Sequence, residues 1–258
     1  MKRNPSPKIV ARNQLVMQRI EELKKEHPFW GYRHVWAHLK YAEGFRINKK
    51  RVLRLMRIAD LLVKPDSKLR AKRTVNTKKP KPSQPNEWWG IDMTKVMVNG
   101  YGWIYVVIVL DWFTKKIAGY YIGSPCKAQH WLDALDMAAN KQFPNGTRGQ
   151  GIKVMSDNGC QPTSDKFMAM CCTMGIEQAF TSYNNPKGNA DTERMMRTMK
   201  EEFFWLKEWD SPFVLGKEFA KWVENYNCSY LHSALGYRSP EQFEKQYFDS
   251  HKTLLVQA

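Results

Sequence analysis

The sequence predicts an α/β protein in which a small all-α domain precedes a mixed sheet of five strands with helices. Three observations support this prediction. Apolar residues recur with helical spacing over residues 12–62, residues 64–86 are rich in proline and basic residues, and from Glu87 onward short β-type segments alternate with amphipathic helices. A chain of 258 residues, 43 % of them hydrophobic, is long enough for one large domain or two smaller ones.

Residues 1–63 contain three predicted helices. The first spans residues 14–26 and ends before Pro28, the second lies between Arg33 and Gly44, and the third begins after a predicted N-cap at Asn48. Their predicted buried residues are Leu15, Ile20, Leu23, Val35, Trp36, Leu39, Val52, Leu55, Met56 and Ala59. The basic residues of the third helix are Lys49, Lys50, Arg51, Arg54 and Arg57. Short helices joined by tight turns, the last one basic, predict a helix-turn-helix-like DNA-binding domain; a purely structural helical bundle is the alternative.

Residues 64–86 are predicted to form a basic linker. This segment contains four prolines and many Lys and Arg residues, and few side chains that could form a core. Such a segment can follow a phosphate backbone without contacting bases. The remaining residues, 87–258, are expected to form the α/β core with a C-terminal helical extension.

The predicted core alternates strands and helices. The strands are residues 89–98, 103–112, 116–122, 152–155 and 176–180, and Asn99-Gly100 is a hairpin signal between the first two. The second strand is almost continuously apolar and should be buried on both faces. Helices are predicted at residues 127–140, 164–174, 189–206 and 212–226, with a polar loop at 181–188. This order, with its antiparallel start, matches a ribonuclease H-like fold.

The net charge of the chain is +16, and it is concentrated in the first third. Residues 1–86 carry 23 Lys and Arg against 6 Asp and Glu, whereas residues 87–258 carry 18 against 19. A basic region of this kind attracts a polyanion such as DNA, although a solvated basic tail is the simpler alternative. No apolar run reaches the ~18 residues of a membrane-spanning helix, no signal peptide is expected, and the five cysteines suit free thiols of an intracellular protein.

Three carboxylates occupy positions in the predicted elements from which they could act together on a phosphodiester. Asp92 lies within the first predicted strand, Asp157 at the end of the fourth, and Glu193 near the start of a helix. Carboxylates in such a set can hold two divalent ions for phosphoryl transfer. Asp111 competes with Asp92 as first ligand, and Asp191 competes with Glu193, because residues two apart on a helix point to different sides. Each acid also has an ordinary alternative as a turn or surface residue.

Glu193, Arg197 and Lys200 share one helix face, because they are spaced at i, i+4 and i+7. That face would present one carboxylate to the metal ions and two cations to DNA phosphates. A surface ion pair between Glu193 and Arg197 is the alternative, but it leaves Lys200 without a task.

Taken together, these motifs resemble one known family. Trp89-x-x-Asp92-Met-Thr, Ser156-Asp157-Asn-Gly and Asn189-Ala-Asp-Thr-Glu193-Arg, with Lys200-Glu-Glu downstream, are similar to the DDE core of retroviral-integrase-type transposases. The likeness is greatest to the second-reading-frame (OrfB) products of bacterial insertion sequences of family three. It extends to Trp222-x-x-x-Tyr226-Asn227, to the segment 232–240, and to the N-terminal helices, so it covers about residues 12–245.

The resemblance implies a specific chemistry. Asp92, Asp157 and Glu193 would be the catalytic metal ligands for two Mg²⁺ or Mn²⁺ ions, Lys200 would hold DNA, and Asn189 would shape the catalytic loop. The relatives often have a small residue directly after that asparagine, where this chain has Ala190 and then Asp191.

The resemblance also implies an activity and partners. The expected function is metal-dependent 3′-end cleavage and strand transfer of an insertion sequence in the bacterial cytoplasm, at the nucleoid. The partners would be double-stranded DNA, further copies of the chain and an upstream-frame (OrfA) product or fusion. The alternatives are a ribonuclease H-like nuclease without strand joining and an inactive DNA-binding repressor.

Overall fold

The computed structural model describes residues 7–63, 80–181 and 188–256, and it divides the chain into two compact units. The helical unit consists of residues 1–72 and 231–237, and the sheet unit of residues 73–230 and 238–258, as far as they are described. Most of the predicted linker, residues 64–79, and residues 182–187 of the predicted polar loop lie outside the described residues. The predicted domain boundaries stay a prediction, but the grouping of residues 231–237 with the helical unit differs from it.

The helical unit is built from three helices around one apolar core. They are α1 (Pro7–Glu26), α2 (Tyr32–Ala37), continued by a π-helical turn at His38–Ala42, and α3 (Lys49–Ile58). The side chain of Asn48 caps α3 by accepting a hydrogen bond from the Arg51 backbone at 2.8 Å, as its sequence position predicts. The helix α1 begins earlier than predicted, and Pro7 suits its first position because proline needs no hydrogen-bond acceptor there.

The core of the helical unit differs from its prediction at two positions, Leu15 and Ala59, the second of which is only half-buried at the end of α3. Leu15 is exposed, whereas its neighbour Val16 is buried with Ile20 and Leu23. The stripe of buried residues on α1 therefore runs through positions 16, 20 and 23, and the prediction for Leu15 is wrong. A helix buries residues three and four apart, so Val16 continues this stripe and Leu15 falls beside it.

The sheet unit contains a mixed five-stranded sheet, which confirms the predicted fold class. Its strands are β1 (Trp88–Val98), β2 (Gly102–Asp111), β3 (Ile117–Gly123), β4 (Lys153–Ser156) and β5 (Glu177–Phe180). Their order across the sheet is β3-β2-β1-β4-β5. The first three strands form an antiparallel meander, and β4 and β5 join it in parallel, as the intervening helices allow.

Helices cover both faces of the sheet. They are α4 (Ala128–Gln142), α5 (Asp165–Met174), α6 (Ala190–Glu202) and α7 (Pro212–Ser229), while α8 (Pro240–Val256) packs against α7. One core lies between the sheet and α4 and α5, and includes Trp89, Ile91 and Val154. The other lies between the sheet and α6 and α7, and includes Leu110 and Met155. Successive residues of β1 therefore point to opposite layers.

Two helix ends follow the sequence signals, and one does not. Ser164 caps α5, and Gly175 ends it with a φ of 69°, which glycine adopts without strain. The predicted helix 189–206 instead ends at Glu202, and a short 3₁₀ turn, Phe204–Leu206, follows. Phe203 leaves helical geometry and packs against Trp209 and Phe219. None of the helices in the described ranges is long and apolar enough to cross a membrane.

Candidate active site

Asp92 and Asp157 occupy corresponding positions on neighbouring parallel strands. The register of β1 and β4 pairs Gly90 with Met155, and each carboxylate follows its member of that pair by two residues. Asp92 is half-buried within β1, whereas Asp157 is exposed just beyond the end of β4. The parallel pairing thus brings two residues that are far apart in sequence to one region of the sheet.

Glu193 lies on the same side of the sheet as Asp92. A Cβ atom built on Gly90 would lie 1.9 Å from Thr192 Oγ1, so Gly90 faces the first turn of α6. Alternate residues of a strand face the same side, so Asp92 faces this layer as well. Glu193 directly follows Thr192 in the first turn of α6 and is exposed. All three carboxylates therefore belong to one region.

The charges of these residues act on one another. Burial, the largest cause, and the negative charges of Asp157 and Glu193 together raise the pKa of Asp92 to about 6. A hydrogen bond from the Met93 backbone and the positive charge of Lys200 oppose this shift of the pKa. Partial desolvation also raises the pKa of Glu193. Four residues predicted from the sequence thus form one electrostatic site with excess negative charge.

Local hydrogen bonds orient two of the carboxylates. The Met93 backbone donates to Asp92 Oδ1 at 2.7 Å, and the Gly159 backbone donates to Asp157 Oδ1 at 3.0 Å. Asn158 Nδ2 donates to the Thr181 carbonyl at 2.6 Å, which ties the loop carrying Asp157 to the end of β5. Each carboxylate keeps a second oxygen available for a ligand.

The donor set suits a hard divalent cation. Carboxylate oxygens are the ligands that Mg²⁺ prefers. A cation would favour the charged form of Asp92, whose pKa is raised by burial and by the charges of Asp157 and Glu193. In the described ranges, no three Asp, Glu, His or Cys side chains lie close enough together to hold a metal ion. The three carboxylates are therefore close enough for their charges to affect the pKa of Asp92, but they are not close enough to coordinate one ion together.

The two competing carboxylates have other partners. Asp111 is buried at the end of β2, and it accepts hydrogen bonds from the Phe113 backbone at 3.0 Å and the Thr114 hydroxyl at 2.7 Å. Asp191 forms an ion pair with Lys115, with 3.0 Å between Oδ2 and Nζ. Both acids thus contribute to the turn between β2 and β3 and its contact with α6.

The predicted DNA-binding residues of α6 differ in their surroundings. Lys200 is half-buried and acts electrostatically on Asp92. Arg197 is exposed, and its Nε donates to Glu201 Oε1 at 2.8 Å, one turn further along the helix. Asn189 precedes α6 and is buried, and its Oδ1 accepts no hydrogen bond from any residue that the structure describes.

The predicted DNA-binding residues of α3 divide into two pairs. Lys50 and Arg54 are exposed. Lys49 donates to the Tyr237 hydroxyl at 3.1 Å and lies over the ring of Trp36, and Arg51 donates to Asn13 Oδ1 at 2.7 Å and 3.0 Å. The first pair can contact a phosphate backbone directly, while the second also braces the helical unit.

Three residues near the carboxylates were absent from the predicted site: Gly90, Trp112 and Thr192. The Trp112 ring nitrogen donates to the Thr192 hydroxyl at 3.0 Å, and both lie against Gly90. Glycine inside a strand is a signal of close backbone approach, so Gly90 could have been found. The hydrogen bond between Trp112 and Thr192 joins residues 80 positions apart and has no local signal.

Comparisons with known families match nearly all of the chain. Residues 82–186 match an integrase core domain, residues 174–240 match a second integrase core domain model, and residues 11–68 match an HTH-like domain. The three carboxylates lie within the integrase core matches, and α3 lies within the HTH-like match.

Individual relatives agree with these domains. The chain is 28 % identical to the transposase for insertion sequence element IS904 of Lactococcus lactis, over 95 % of this chain and 99 % of the relative. It is 25 % identical to the transposase InsD of an Escherichia coli IS2 element, over 90 % of this chain and 78 % of the relative. A chain of the simian T-cell lymphotropic virus intasome, solved by cryo-electron microscopy with PP2A regulatory subunit B56 gamma, has a similar fold. Its TM-score is 0.52 at 14 % identity, over 83 % of this chain and 70 % of that one.

Proposed function

Because the chain belongs to the integrase-core transposases, with an HTH-like domain ahead of the core, we propose that it cuts and joins the DNA ends of a bacterial insertion sequence. The proposal extends the transposase function to metal-dependent 3′-end cleavage followed by strand transfer. The observation that supports it most is the placement of Asp92, Asp157 and Glu193 in one region, where the charges of the last two act on Asp92.

The first reaction is hydrolysis of a phosphodiester bond at the element end. The oxygen of a water molecule forms a bond to phosphorus, the bond from phosphorus to the 3′ oxygen breaks, and that oxygen leaves as a 3′-hydroxyl after taking up a proton. The flanking strand keeps the 5′-phosphate. Asp92, Asp157 and Glu193 would hold two Mg²⁺ or Mn²⁺ ions, which when bound supply charge compensation for the attacking and leaving oxygens.

The second reaction is direct transesterification. The freed 3′-hydroxyl forms a bond to a phosphorus of the target strand, and the target 3′ oxygen leaves with a proton. One phosphodiester bond replaces another, so no covalent enzyme intermediate and no external energy source is needed. Lys200, a cation beside Asp92, would hold the phosphate backbone, and Arg197 would contact it further along α6.

The remaining expectations concern the assembly. Asn189 would shape the loop that leads into α6, and the helical unit would bind double-stranded DNA through α3. Two element ends must be brought together, so the active form would be a multimer on DNA at the bacterial nucleoid. An upstream-frame product or fusion would contribute to recognition of the ends.

The test measures cleavage of labelled intact element ends and joining of labelled pre-cut ends to a second duplex, each with Mg²⁺ and with chelator. Asp157→Ala should lower cleavage and joining by about a thousand-fold or more while DNA binding persists, because the variant loses one metal-binding carboxylate. The same loss is expected for Asp92→Ala and Glu193→Ala. Asp111→Ala and Asp191→Ala should retain metal-dependent joining at a reduced rate.

Asp136→Ala is the matched control, since Asp136 is an exposed carboxylate on α4 that pairs with Asn140. It should join ends at the wild-type rate. Mg²⁺-dependent joining that survives in Asp157→Ala would defeat the proposal. Cleavage of intact ends without insertion of pre-cut ends would instead identify a nuclease.

A further inference from the structure

We propose that the turn between β2 and β3, residues 111–116, is a clamp that positions Glu193, and that Trp112 and Thr192 are positioning residues for the strand-transfer reaction. The inference rests on the proposed function, because it concerns how one carboxylate of that site is oriented. It explains the hydrogen bond between Trp112 and Thr192 and the ion pair between Lys115 and Asp191, neither of which takes part in the reaction itself.

The first turn of α6 lies directly against the backbone of β1. A Cβ atom on Gly90 would lie 1.9 Å from Thr192 Oγ1 and 2.3 Å from Trp112 Nε1, distances at which no side chain could be accommodated. The missing side chain of Gly90 thus sets the spacing between α6 and the strand that carries Asp92. A larger spacing would move Glu193 away from Asp92.

Two contacts fix the first turn of α6 to the clamp. Trp112 Nε1 donates to the buried Thr192 hydroxyl at 3.0 Å, and Lys115 Nζ pairs with Asp191 Oδ2 at 3.0 Å. Asp191 and Thr192 immediately precede Glu193, and successive helix residues point about 100° apart. Two neighbouring side chains held at defined angles therefore determine the direction in which Glu193 leaves the helix.

The clamp itself is rigidly braced. Buried Asp111 accepts hydrogen bonds from the Phe113 backbone, the Thr114 hydroxyl and the Asn86 backbone. The Lys115 backbone donates to the Asp111 carbonyl at 2.9 Å, and the Tyr226 hydroxyl donates to the Lys115 carbonyl at 2.9 Å. These bonds hold Lys115 in a left-handed conformation, with a φ of 63°, that a lysine rarely adopts.

A carboxylate that shares metal ions with two others must be aimed within narrow limits. Removal of a residue that contacts and orients a metal ligand commonly lowers metal affinity or activity by about 10- to 100-fold. Displacement of a catalytic group by about 1 Å has an effect of similar size. The clamp contacts α6 at Asp191 and Thr192, directly before Glu193, whereas Asp92 lies on β1 and Asp157 follows β4, two strands that pair with each other.

The experiment compares Thr192→Val, Thr192→Ser and Thr198→Val in the full chain. Valine matches threonine in shape and removes the hydroxyl that accepts from Trp112, while serine keeps that hydroxyl. Thr198 is the matched control, because its hydroxyl bonds the Arg194 carbonyl within the same helix. The readouts are kcat and KM for joining of pre-cut ends, direct Mn²⁺ binding by calorimetry, and thermal unfolding.

Thr192→Val should lower kcat or the Mn²⁺ affinity by about 10- to 100-fold with an unchanged KM for DNA. Thr192→Ser should recover to within about threefold of the wild type, and Thr198→Val should match it. Wild-type kcat and Mn²⁺ affinity in Thr192→Val would overturn the clamp, as would an equal loss in Thr192→Ser. If Thr192→Val does not fold, Lys115→Met tests the ion pair with Asp191. This variant should also lose about 10- to 100-fold in kcat or Mn²⁺ affinity, and wild-type values would overturn the clamp.

The outcomes separate this inference from the proposed function. A wild-type chain that never joins pre-cut ends contradicts strand transfer. A wild-type chain that joins them, beside a Thr192→Val variant that joins equally fast and binds Mn²⁺ equally well, contradicts the clamp alone.

Discussion

Individual carboxylates in this protein have distinct tasks because their surroundings differ. Asp157 and Glu193 are exposed beside half-buried Asp92, and their charges act on it, so this set is suited to bind cations. Asp111 is buried among hydrogen-bond donors and Asp191 is paired with a lysine, so both stabilise structure. In the sequence all five are acids beside apolar segments, and their environments separate them.

The ionisation of Asp111 should make stability depend on pH. Burial raises its pKa to about 6 from an ordinary value of 3.8, so the folded state holds a proton that the unfolded state has already released. The folded state therefore loses stability as the pH rises through the window between those two values. By this linkage the wild type should lose about 2–3 kcal/mol between pH 4 and pH 7 relative to Asp111→Asn, whose side chain does not ionise.

Urea-induced unfolding of both proteins across this pH range provides the measurement. The hydrogen bonds that asparagine cannot make lower the unfolding free energy of the variant by the same amount at every pH. Only the change with pH in the difference between the two proteins therefore reports on the ionisation of Asp111. A difference in unfolding free energy that stays the same from pH 4 to pH 7 would show that Asp111 keeps an ordinary pKa in the folded protein.

Helix α7 shows how a sequence motif can serve the structure of the sheet unit. Trp222 and Tyr226 lie along the helix with their rings stacked, and Tyr230, directly after its end, packs its ring at a tilt against Tyr226. Tyr226 donates to the Lys115 carbonyl, and Asn227 bonds both backbone groups of Ile117, at 2.9 Å and 3.0 Å. Because β3 is an edge strand of the sheet, the Asn227 amide satisfies backbone groups that no neighbouring strand can reach.

Removal of this amide should loosen α7 from the sheet. Asn227→Ala deprives the Ile117 N–H and C=O of their bonds to Asn227, and we expect a loss of about 2–4 kcal/mol in unfolding free energy. Chemical denaturation is the measurement. Asn140→Ala is the control, because Asn140 is exposed on α4 and bonds only Asp136 among the contacts that the structure gives it. Equal stability of the two variants would contradict this task for Asn227.

Over the whole chain, charge and connectivity follow different boundaries. Residues 1–86 carry a net charge of +17 and the rest −1, so the first third of the chain, with the predicted linker included, carries the charge that would attract DNA. Residues 231–237, however, belong to the helical unit although they lie between α7 and α8 in sequence. Tyr237 packs against Trp36 and Tyr41, and its hydroxyl accepts from Lys49. The helical unit is thus completed by a segment from the far end of the chain.

Binding of DNA by the helical unit should depend on the exposed cations of α3. Lys50→Ala and Arg54→Ala should each weaken binding to any duplex and reduce the slope of log affinity against log salt by about 1, since each removes one phosphate contact. Fluorescence anisotropy at several salt concentrations measures both quantities. Lys25→Ala, an exposed lysine at the end of α1, removes the same charge and should change the slope less. Equal slopes for all three variants would mean that α3 does not contact the backbone.

Local patterns were sufficient for most elements of this protein. Alternating and helical spacing, the Asn48 cap and Gly175 identified most strands and helices to within a few residues. The exceptions are α1, which begins at Pro7 and not at the predicted residue 14, and α6, which Phe203 ends early to join an aromatic core. These local features depend on residues that are close in sequence, and so they can be predicted from the sequence. The motif around Asp92, Asp157 and Glu193 likewise follows from residue type and spacing.

Contacts between distant segments had to come from the folded chain. Val16 replaces Leu15 in the core, and Trp112 meets Thr192 across Gly90. Leu231 and Tyr237 pack into the helical unit. Each depends on which surfaces meet after folding, and no local periodicity encodes that. The set of three carboxylates could therefore be predicted from the sequence, whereas the contacts proposed to orient Glu193 could be seen only in the packing of α6 on the sheet.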